Sequence, residues 1–112
     1  MQPLVHPAME DVELTTVLQA LADPVRLRLV VLLLDGDTRS CAPEVWGVEL
    51  HKSTLSHHYK VLREAGLTRT HVQGRTRWVE LRRAELEERF PGLLGFLGAA
   101  AARESSAATG PR

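Results

Sequence analysis

The hydrophobic residues near the start of the chain recur at helical spacing. Over residues 10–22 they fall at i, i+3, i+4 and i+7, so they share one face of a helix. The four residues of this stripe are Leu14, Val17, Leu18 and Leu21. The pattern predicts an amphipathic first helix whose apolar face is covered by another part of the fold.

The segment DPVRLRLVVLLLDG carries start and stop signals for a second helix. Asp23 is suited to the N-cap and Pro24 to the first helical position, while Gly36 lies just beyond the end. Apolar residues cover nearly the whole circumference, which is typical of a central buried helix. We predict that a short helix follows, capped by Ser40 and ended by Gly47.

The stretch KSTLSHHYKVLREAGL predicts a further helix over residues 51–65, stopped by a glycine. At about 100° per residue its side chains separate into two groups. The inner group is Leu55, His58, Tyr59, Leu62 and Ala65. The outer group is Ser53, Ser56, His57, Lys60 and Glu64. The outer face has short polar side chains and lysines near the helix N-terminus, which favours close approach to an anionic surface.

After this helix the apolar period becomes alternating. LTRTHVQGRTRWVEL predicts strands over residues 68–72 and 77–81, joined by a turn at residues 73–74. The side chains predicted to anchor this hairpin to the core are Leu67, Val72 and Trp78. Arg75 and Arg77 would lie at or near its tip. The predicted fold is mainly α with a small β-hairpin wing, a winged helix-turn-helix, which would place the helix over 51–65 in a DNA major groove and the hairpin beside a phosphate backbone.

The formal net charge of zero hides a segregation of charge along the chain. Residues 1–51 contain three basic and eight acidic side chains, residues 52–83 contain eight basic and two acidic ones, and residues 84–112 contain three and four. Confinement of the cations to one segment favours a polyanion as the partner of that segment.

A second apolar stripe lies beyond the hairpin, in AELEERFPGLLGFLGAAAA, where Pro91 is predicted to divide two helices. The stripe requires a covering surface, which is either its own domain or the same stripe and the first helix of a second copy. We favour the dimer. The residues predicted at its interface are Leu14, Val17, Leu93, Leu94 and Leu97. The predicted division of the chain is a flexible N-terminus at 1–9, one domain with terminal dimerisation helices at 10–102, and a disordered tail at 103–112.

Three segments, LADPVRLRLVVLL, KSTLSHHYKVLREAGL and THVQGRTRWVEL, together resemble the winged-helix transcriptional regulators of the ArsR type in order and spacing, over about residues 18–81. The resemblance implies a homodimeric, cytoplasmic prokaryotic repressor of a near-palindromic operator. The residues that it implies for contacts with DNA bases are Lys52, Ser53, Ser56 and His57. Those that it implies for backbone contacts are Thr54 and Lys60 on the helix and Arg75 and Arg77 on the wing.

The sequence departs from the metal sensors of this family. Their thiolate type uses at least two cysteines near the helix that precedes the recognition helix, whereas this chain has Cys41 alone. The other known arrangement uses carboxylates and histidines on the C-terminal helix, and residues 84–103 contain no histidine. We therefore expect no metal or other cofactor, and we expect His58 to be a hydrogen-bonded, partly buried side chain. A small-molecule effector stays open.

Two alternatives to a DNA-binding regulator follow from the same residues. One is a winged-helix module whose basic face binds an acidic protein, and the other is a redox sensor that uses Cys41 on the same fold. An enzyme is not expected, because the sequence has no glycine-rich phosphate loop and no nucleophile elbow. The longest apolar run, Leu29 to Leu34, is far shorter than the roughly 20 residues of a membrane span. We expect no secretory signal and a cytoplasmic location.

Overall fold

The helices and strands were established from a computed structural model, which describes residues 4–41 and 50–109 and their side chains as far as Glu104. A short 3-10 turn comes first, at Met9–Asp11. The elements that follow are α1 (Leu14–Leu21), α2 (Pro24–Leu32), β1 (Arg39–Ser40), α3 (Lys52–Glu64), β2 (Thr68–Gln73), β3 (Thr76–Leu81), α4 (Arg83–Arg89) and α5 (Leu93–Thr109).

Local signals determine where α2 begins. The carboxylate of Asp23 accepts hydrogen bonds from the backbone N–H groups of Val25 and Arg26 at 2.9 and 3.0 Å, so the predicted N-cap is confirmed. Helix α1 is shorter than predicted, since the segment before Leu14 forms the 3-10 turn and an extended link. The short helix predicted after Ser40 lies outside the described residues.

The wing is a three-stranded antiparallel sheet in the order β1-β3-β2. Gln73 pairs with Thr76, so the two turn residues are Gly74 and Arg75, one position later than predicted. Gly74 has φ +61°, a left-handed conformation that glycine adopts without strain. Strand β1 was not predicted; its Ser40 pairs with β3.

The wing is anchored by a different face of β3 from the one predicted. Leu67, just before β2, is buried as predicted, but Val72 is only half-buried. The prediction that Trp78 anchors the hairpin to the core is wrong, because this side chain is 38% exposed, while Val79 has no exposed surface. Side chains alternate along a strand, so the pairing that buries Val79 turns Trp78 to the outer face.

The core is apolar and joins every helix to the wing. Its fully buried leucines and valines are Val17, Leu29, Val30, Leu33, Leu55, Leu62, Leu67, Val79 and Leu86. Gly66 ends α3 with φ +88°, and a Cβ at this position would overlap the side chain of Val12. Glycine is therefore required here both by the backbone and by the packing of the N-terminal segment.

The C-terminal part consists of two helices, as predicted from Pro91. Helix α4 ends at Arg89 and α5 begins at Leu93, with Gly92 at φ +86° between them. Helix α5 continues past Arg103, where the sequence predicted a tail to begin; the division of the chain into domain and tail stays a prediction. Among the described residues, no helix combines the length and the apolar content needed to cross a membrane.

Candidate nucleic-acid interface

Helix α3 separates an apolar row from a polar one, as predicted. Leu55, Tyr59 and Leu62 are buried in the core, and Ala65 continues the row at the C-terminal end. Burial of this row fixes which side of α3 faces outward. The exposed side chains of α3 as far as Lys60 are Lys52, Ser53, Thr54, Ser56, His57 and Lys60. These hydroxyl, imidazole and ammonium groups can hydrogen-bond to base edges or to phosphate oxygens.

The tip of the wing presents two arginines. Arg75 is in the turn and Arg77 is the second residue of β3, and both are exposed. Arg77 lies on the same face of the strand as Val79, which is the face that packs on the core. The backbone N–H of Cys41 donates to the carbonyl oxygen of Arg77 at 2.9 Å, so the strand that carries this arginine is held on the β1 side.

Several cations of the basic segment stabilise the fold instead of facing a ligand. Glu85 forms ion pairs with Arg69 and, at 2.8 Å, with Arg82. The hydrogen bond and charge of Arg82, with a smaller effect of Arg69, hold the pKa of Glu85 below its ordinary value. Arg83 donates to the carbonyl oxygen of Leu34, two residues beyond the end of α2. Sequence reasoning could not separate Arg69 and Arg83 from the other arginines, since their partners lie on other elements.

The remaining exposed cations of the segment differ in their surroundings. Within residues 4–41 and 50–104, no acidic side chain forms an ion pair with them. They are Lys52, Lys60, Arg75 and Arg77. The unpaired positive charge of this segment is therefore concentrated on the outer face of α3 and on the wing tip, the two elements that the sequence predicted.

His58 is a partly buried, hydrogen-bonded histidine, as predicted. Its Nδ1 lies 3.3 Å from Nη1 of Arg26 and 3.9 Å from a carboxylate oxygen of Asp23. Burial lowers the pKa of this imidazole; Asp23 opposes the shift, while Arg26 and His57 add to it. The contact with Arg26 was missed by sequence reasoning, which considered that arginine only as a charge.

No metal centre is formed by the described residues. In the parts of the chain that the structure covers, no three His, Cys, Asp or Glu side chains gather as ligands. The rings of His57 and His58 have centroids 6.1 Å apart and planes inclined at 55°, and no group of three possible ligands among the described residues includes them. The absence of a metal or other cofactor stays an expectation.

Cys41 is half-buried beside the wing. Burial raises the pKa of its thiol to about 11, although the charges of Arg77 and Arg63 partly oppose the shift. The hydroxyl of Tyr59 donates to the carbonyl oxygen of Cys41 at 3.3 Å, so the residue is tied to α3 through its backbone. A thiol of this kind is a weak nucleophile at neutral pH.

We therefore expect Cys41 to react slowly with iodoacetamide in the native protein. With a pKa of about 11, its thiolate fraction at neutral pH is about a hundredfold below that of an unperturbed thiol. Labelling followed by mass spectrometry, with the denatured protein as control, measures this difference. Rapid native labelling, together with a peroxide-induced change in DNA affinity that Cys41→Ser abolishes, would instead support the redox-sensor alternative.

The side chains predicted for the dimer interface differ in exposure within one protomer. Leu14 is 47% exposed, and Leu93 and Leu97 are half-buried. Val17 and Leu94 are buried in the protomer core, so they would support an interface from beneath.

Two further apolar side chains stand out at the same helices. Leu18 on α1 is 47% exposed and Phe96 on α5 is 68% exposed. The sequence stripe included the first of these but not the second, because Phe96 lies beside the predicted row instead of in it. Both terminal helices therefore leave a large apolar side chain exposed in the protomer.

Comparison with known proteins identifies relatives of this chain. An HTH-type transcriptional regulator of Bacillus subtilis (strain 168), YceK, is 38% identical over 82 residues, which are 72% of this chain and 82% of the relative. The arsenical resistance operon repressor of Staphylococcus aureus is 34% identical over 76 residues, which are 68% of this chain and 72% of the relative. No family model matches the chain.

A solved structure supports the same assignment. An ArsR family transcriptional regulator is 28% identical and superposes with a TM-score of 0.57, over 83% of this chain and 97% of that one. The predicted fold class, a winged helix-turn-helix, is thus confirmed, and so are the predictions of a regulator and of a non-enzymatic protein. From the identity and coverage of these relatives, the chain belongs to the ArsR-type family of winged-helix, DNA-binding transcriptional regulators.

Proposed function

We propose that this protein is a homodimeric repressor that reads a near-palindromic operator with α3 and grips the DNA backbone with its wing. The observation that carries the proposal is the location of those exposed cations of the basic segment for which the described residues provide neither an acidic nor a carbonyl partner. Two of them, Lys52 and Lys60, lie on α3, and the other two, Arg75 and Arg77, lie at the wing tip. Arginines of the same segment that lie elsewhere are engaged with Glu85 or with backbone carbonyls. This distribution is what a DNA-binding face requires, since phosphate contacts need exposed cations that no carboxylate neutralises.

The proposed roles follow from position and chemistry. Side chains near the N-terminus of a recognition helix reach base edges, and the hydroxyls are short enough to let the helix enter the groove. The residues assigned to base contacts are Lys52, Ser53, Ser56 and His57. The residues assigned to the phosphate backbone are Thr54, Lys60, Arg75 and Arg77.

The proposed dimer joins the terminal helices of two copies. Leu14 and Leu18 on α1 and Phe96 on α5 are exposed, and Leu93 and Leu97 retain part of their surface. A two-fold dimer presents two recognition helices, which read half-sites separated by about one DNA turn, roughly 34 Å. This geometry is the reason for proposing a near-palindromic operator. Of the earlier interface predictions, Val17 and Leu94 are proposed as supports of the surface only.

Repression and location are part of the same proposal. The relative in Staphylococcus aureus is a repressor by name, and a dimer bound across a promoter excludes polymerase from the same DNA. We infer a cytoplasmic location, where such an operator is accessible. A small-molecule effector would act by changing the relative stability of the DNA-bound and unbound forms, and its identity stays open.

The test is fluorescence anisotropy with two duplexes across a salt series. One duplex carries the DNA upstream of the protein's own gene and the other the same bases in scrambled order. We expect the native fragment to bind at least about a thousandfold more tightly, with a steep fall in affinity as salt rises. Weak and equal binding to both duplexes would contradict recognition of this site, and binding of an acidic protein to the basic face would become the leading interpretation.

A further inference from the structure

Three helices meet at the side chain of Arg26, in the first turn of α2. Its Nε donates to the carbonyl oxygen of Ala20 near the end of α1 at 2.7 Å, and its Nη1 lies 3.3 Å from Nδ1 of His58 on α3. Asp23 caps the backbone N–H of the same arginine at 3.0 Å and lies 3.9 Å from His58 Nδ1. We call Asp23, Arg26 and His58 the three-helix junction.

The contact between Arg26 and His58 defines the state of the imidazole. A guanidinium has only donors, so Nδ1 must accept, and the proton of the neutral ring must be on Nε2. The His58 side chain is 12% exposed, which limits the ability of water to replace the contact. The charged and titratable groups facing this ring are Asp23 and Arg26 from α2 and His57 from α3 itself.

The position of His58 on α3 makes this contact directional. Burial of Leu55, Tyr59 and Leu62 sets which side of α3 faces the core, and a hydrogen bond beside this row adds a directional restraint on smaller rotations of the helix about its axis. His58 lies on one flank of that row, next in sequence to the exposed His57. A hydrogen bond on the flank resists rotation, and rotation would displace every outward side chain of α3.

We propose that Arg26 and His58 are positioning residues for DNA recognition: their contact fixes the rotation of α3 against α1 and α2. The inference rests on the proposed function, in which the outer face of α3 reads bases. Because Arg26 also binds the last turn of α1, the three-helix junction connects one of the proposed dimer helices to the recognition helix. An effector or a dimer rearrangement that moved α1 would act on α3 through this arginine.

The proposal has a pH signature. Protonation of Nδ1 turns the acceptor into a donor that faces a guanidinium, so the contact is lost even though Asp23 attracts the new charge. The ordinary pKa of the ring is 6.5, and the pKa in the folded protein is lower. The contact is therefore complete above pH 6.5 and is lost as the pH falls through the lower value. Specific affinity should decline in the same range.

Two variants of His58 separate positioning from general stability. His58→Leu keeps the volume but removes the acceptor, and we expect about a tenfold loss of affinity for the operator at about pH 7.5, with little change for scrambled DNA. His58→Asn restores an oxygen near the position of Nδ1 that does not titrate. This variant should bind like the wild type at about pH 7.5 and lose less affinity than the wild type as the pH is lowered stepwise below 6.5. The other histidines are the same in both proteins, so a difference between the two is assigned to position 58.

A double-mutant cycle with Arg26→Met tests the partner. We expect Arg26→Met combined with His58→Leu to bind the operator no more weakly than Arg26→Met alone, since both changes remove one contact. Circular dichroism and sedimentation of every variant verify folding and mass. The proposal is overturned if His58→Leu binds the operator like the wild type. It is also overturned if His58→Asn loses as much operator affinity at low pH as the wild type does. Lys52→Ala distinguishes the failures: if it weakens operator binding while His58→Leu does not, the proposed function stands and only the positioning role is lost.

Discussion

Leu18→Glu is expected to convert the protein into a monomer and to lower its affinity for the operator by a factor of about 100 or more. Leu18 is 47% exposed in the protomer, so the substitution leaves the core intact. In a two-fold dimer the new carboxylate enters the interface twice, and burial of an unpaired carboxylate is strongly unfavourable. A monomer engages one half-site and loses the effective concentration that the second recognition helix has in the dimer.

Gln19→Glu is the matched control. Gln19 is the adjacent residue of α1 and is exposed, and at about 100° per residue it points away from the face that carries Leu14 and Leu18. The Gln19→Glu substitution adds the same charge outside the proposed interface. We therefore expect this variant to be a dimer with operator affinity close to that of the wild type. Sedimentation equilibrium gives the mass of each variant, and anisotropy gives its affinity. A dimeric Leu18→Glu variant with unchanged affinity would show that α1 does not form the interface.

Signals that act within a few residues were predictable from the sequence. Asp23 and Pro24 determine the start of α2 through a cap and a fixed φ angle, and both functions are local. Gly66 ends α3 through a left-handed φ, although its close approach to Val12 could not be inferred. The two faces of α3 were likewise predictable, because a helical period over 13 residues averages out single exceptions.

Properties that depend on pairing between elements were not predictable. The prediction that Trp78 faces the core was wrong, because the face on which a strand residue lies depends on the pairing register. A shift of one residue exchanges the two faces. Strand β1 has two residues and therefore no period of its own; only its pairing with β3 defines it. The turn lies one residue later than predicted for the same reason, since the pairing of Gln73 with Thr76 places the turn at the two residues between them.

The candidate site shows the same division. The total charge of the basic segment was visible in the sequence, but the sequence did not distinguish Arg69, which is paired with Glu85, from Arg75, which has no acidic partner among the described residues. The structure reduces eight cations to the few that can face DNA. The contact of Arg26 with His58 joins residues 32 positions apart, a separation at which no local pattern operates.

Arg75→Ala is expected to weaken binding to all DNA sequences alike, by about tenfold at low salt, and to reduce the slope of log affinity against log salt by about one unit for each protomer. Arg75 is exposed in the wing turn, and a contact with phosphate carries no sequence information. Arg69→Ala is the matched control in the same wing. Because Arg69 is engaged with Glu85, its removal should leave the salt slope unchanged and should lower only the melting temperature, by a small amount.

Ser56→Ala and Lys52→Ala should have the opposite signature from Arg75→Ala. Both residues are exposed in the N-terminal half of α3, where we propose contacts with base edges. We expect each substitution to reduce discrimination between operator and scrambled DNA by about 1–3 kcal/mol, while binding to scrambled DNA changes less. Anisotropy of all four variants on both duplexes, across one salt series, measures the two effects together. The assigned roles require the effect of Arg75→Ala to be independent of DNA sequence and the effect of Ser56→Ala to depend on it. If both variants altered operator binding and scrambled-DNA binding in the same proportion, the assignment of base contacts to α3 and phosphate contacts to the wing would be wrong.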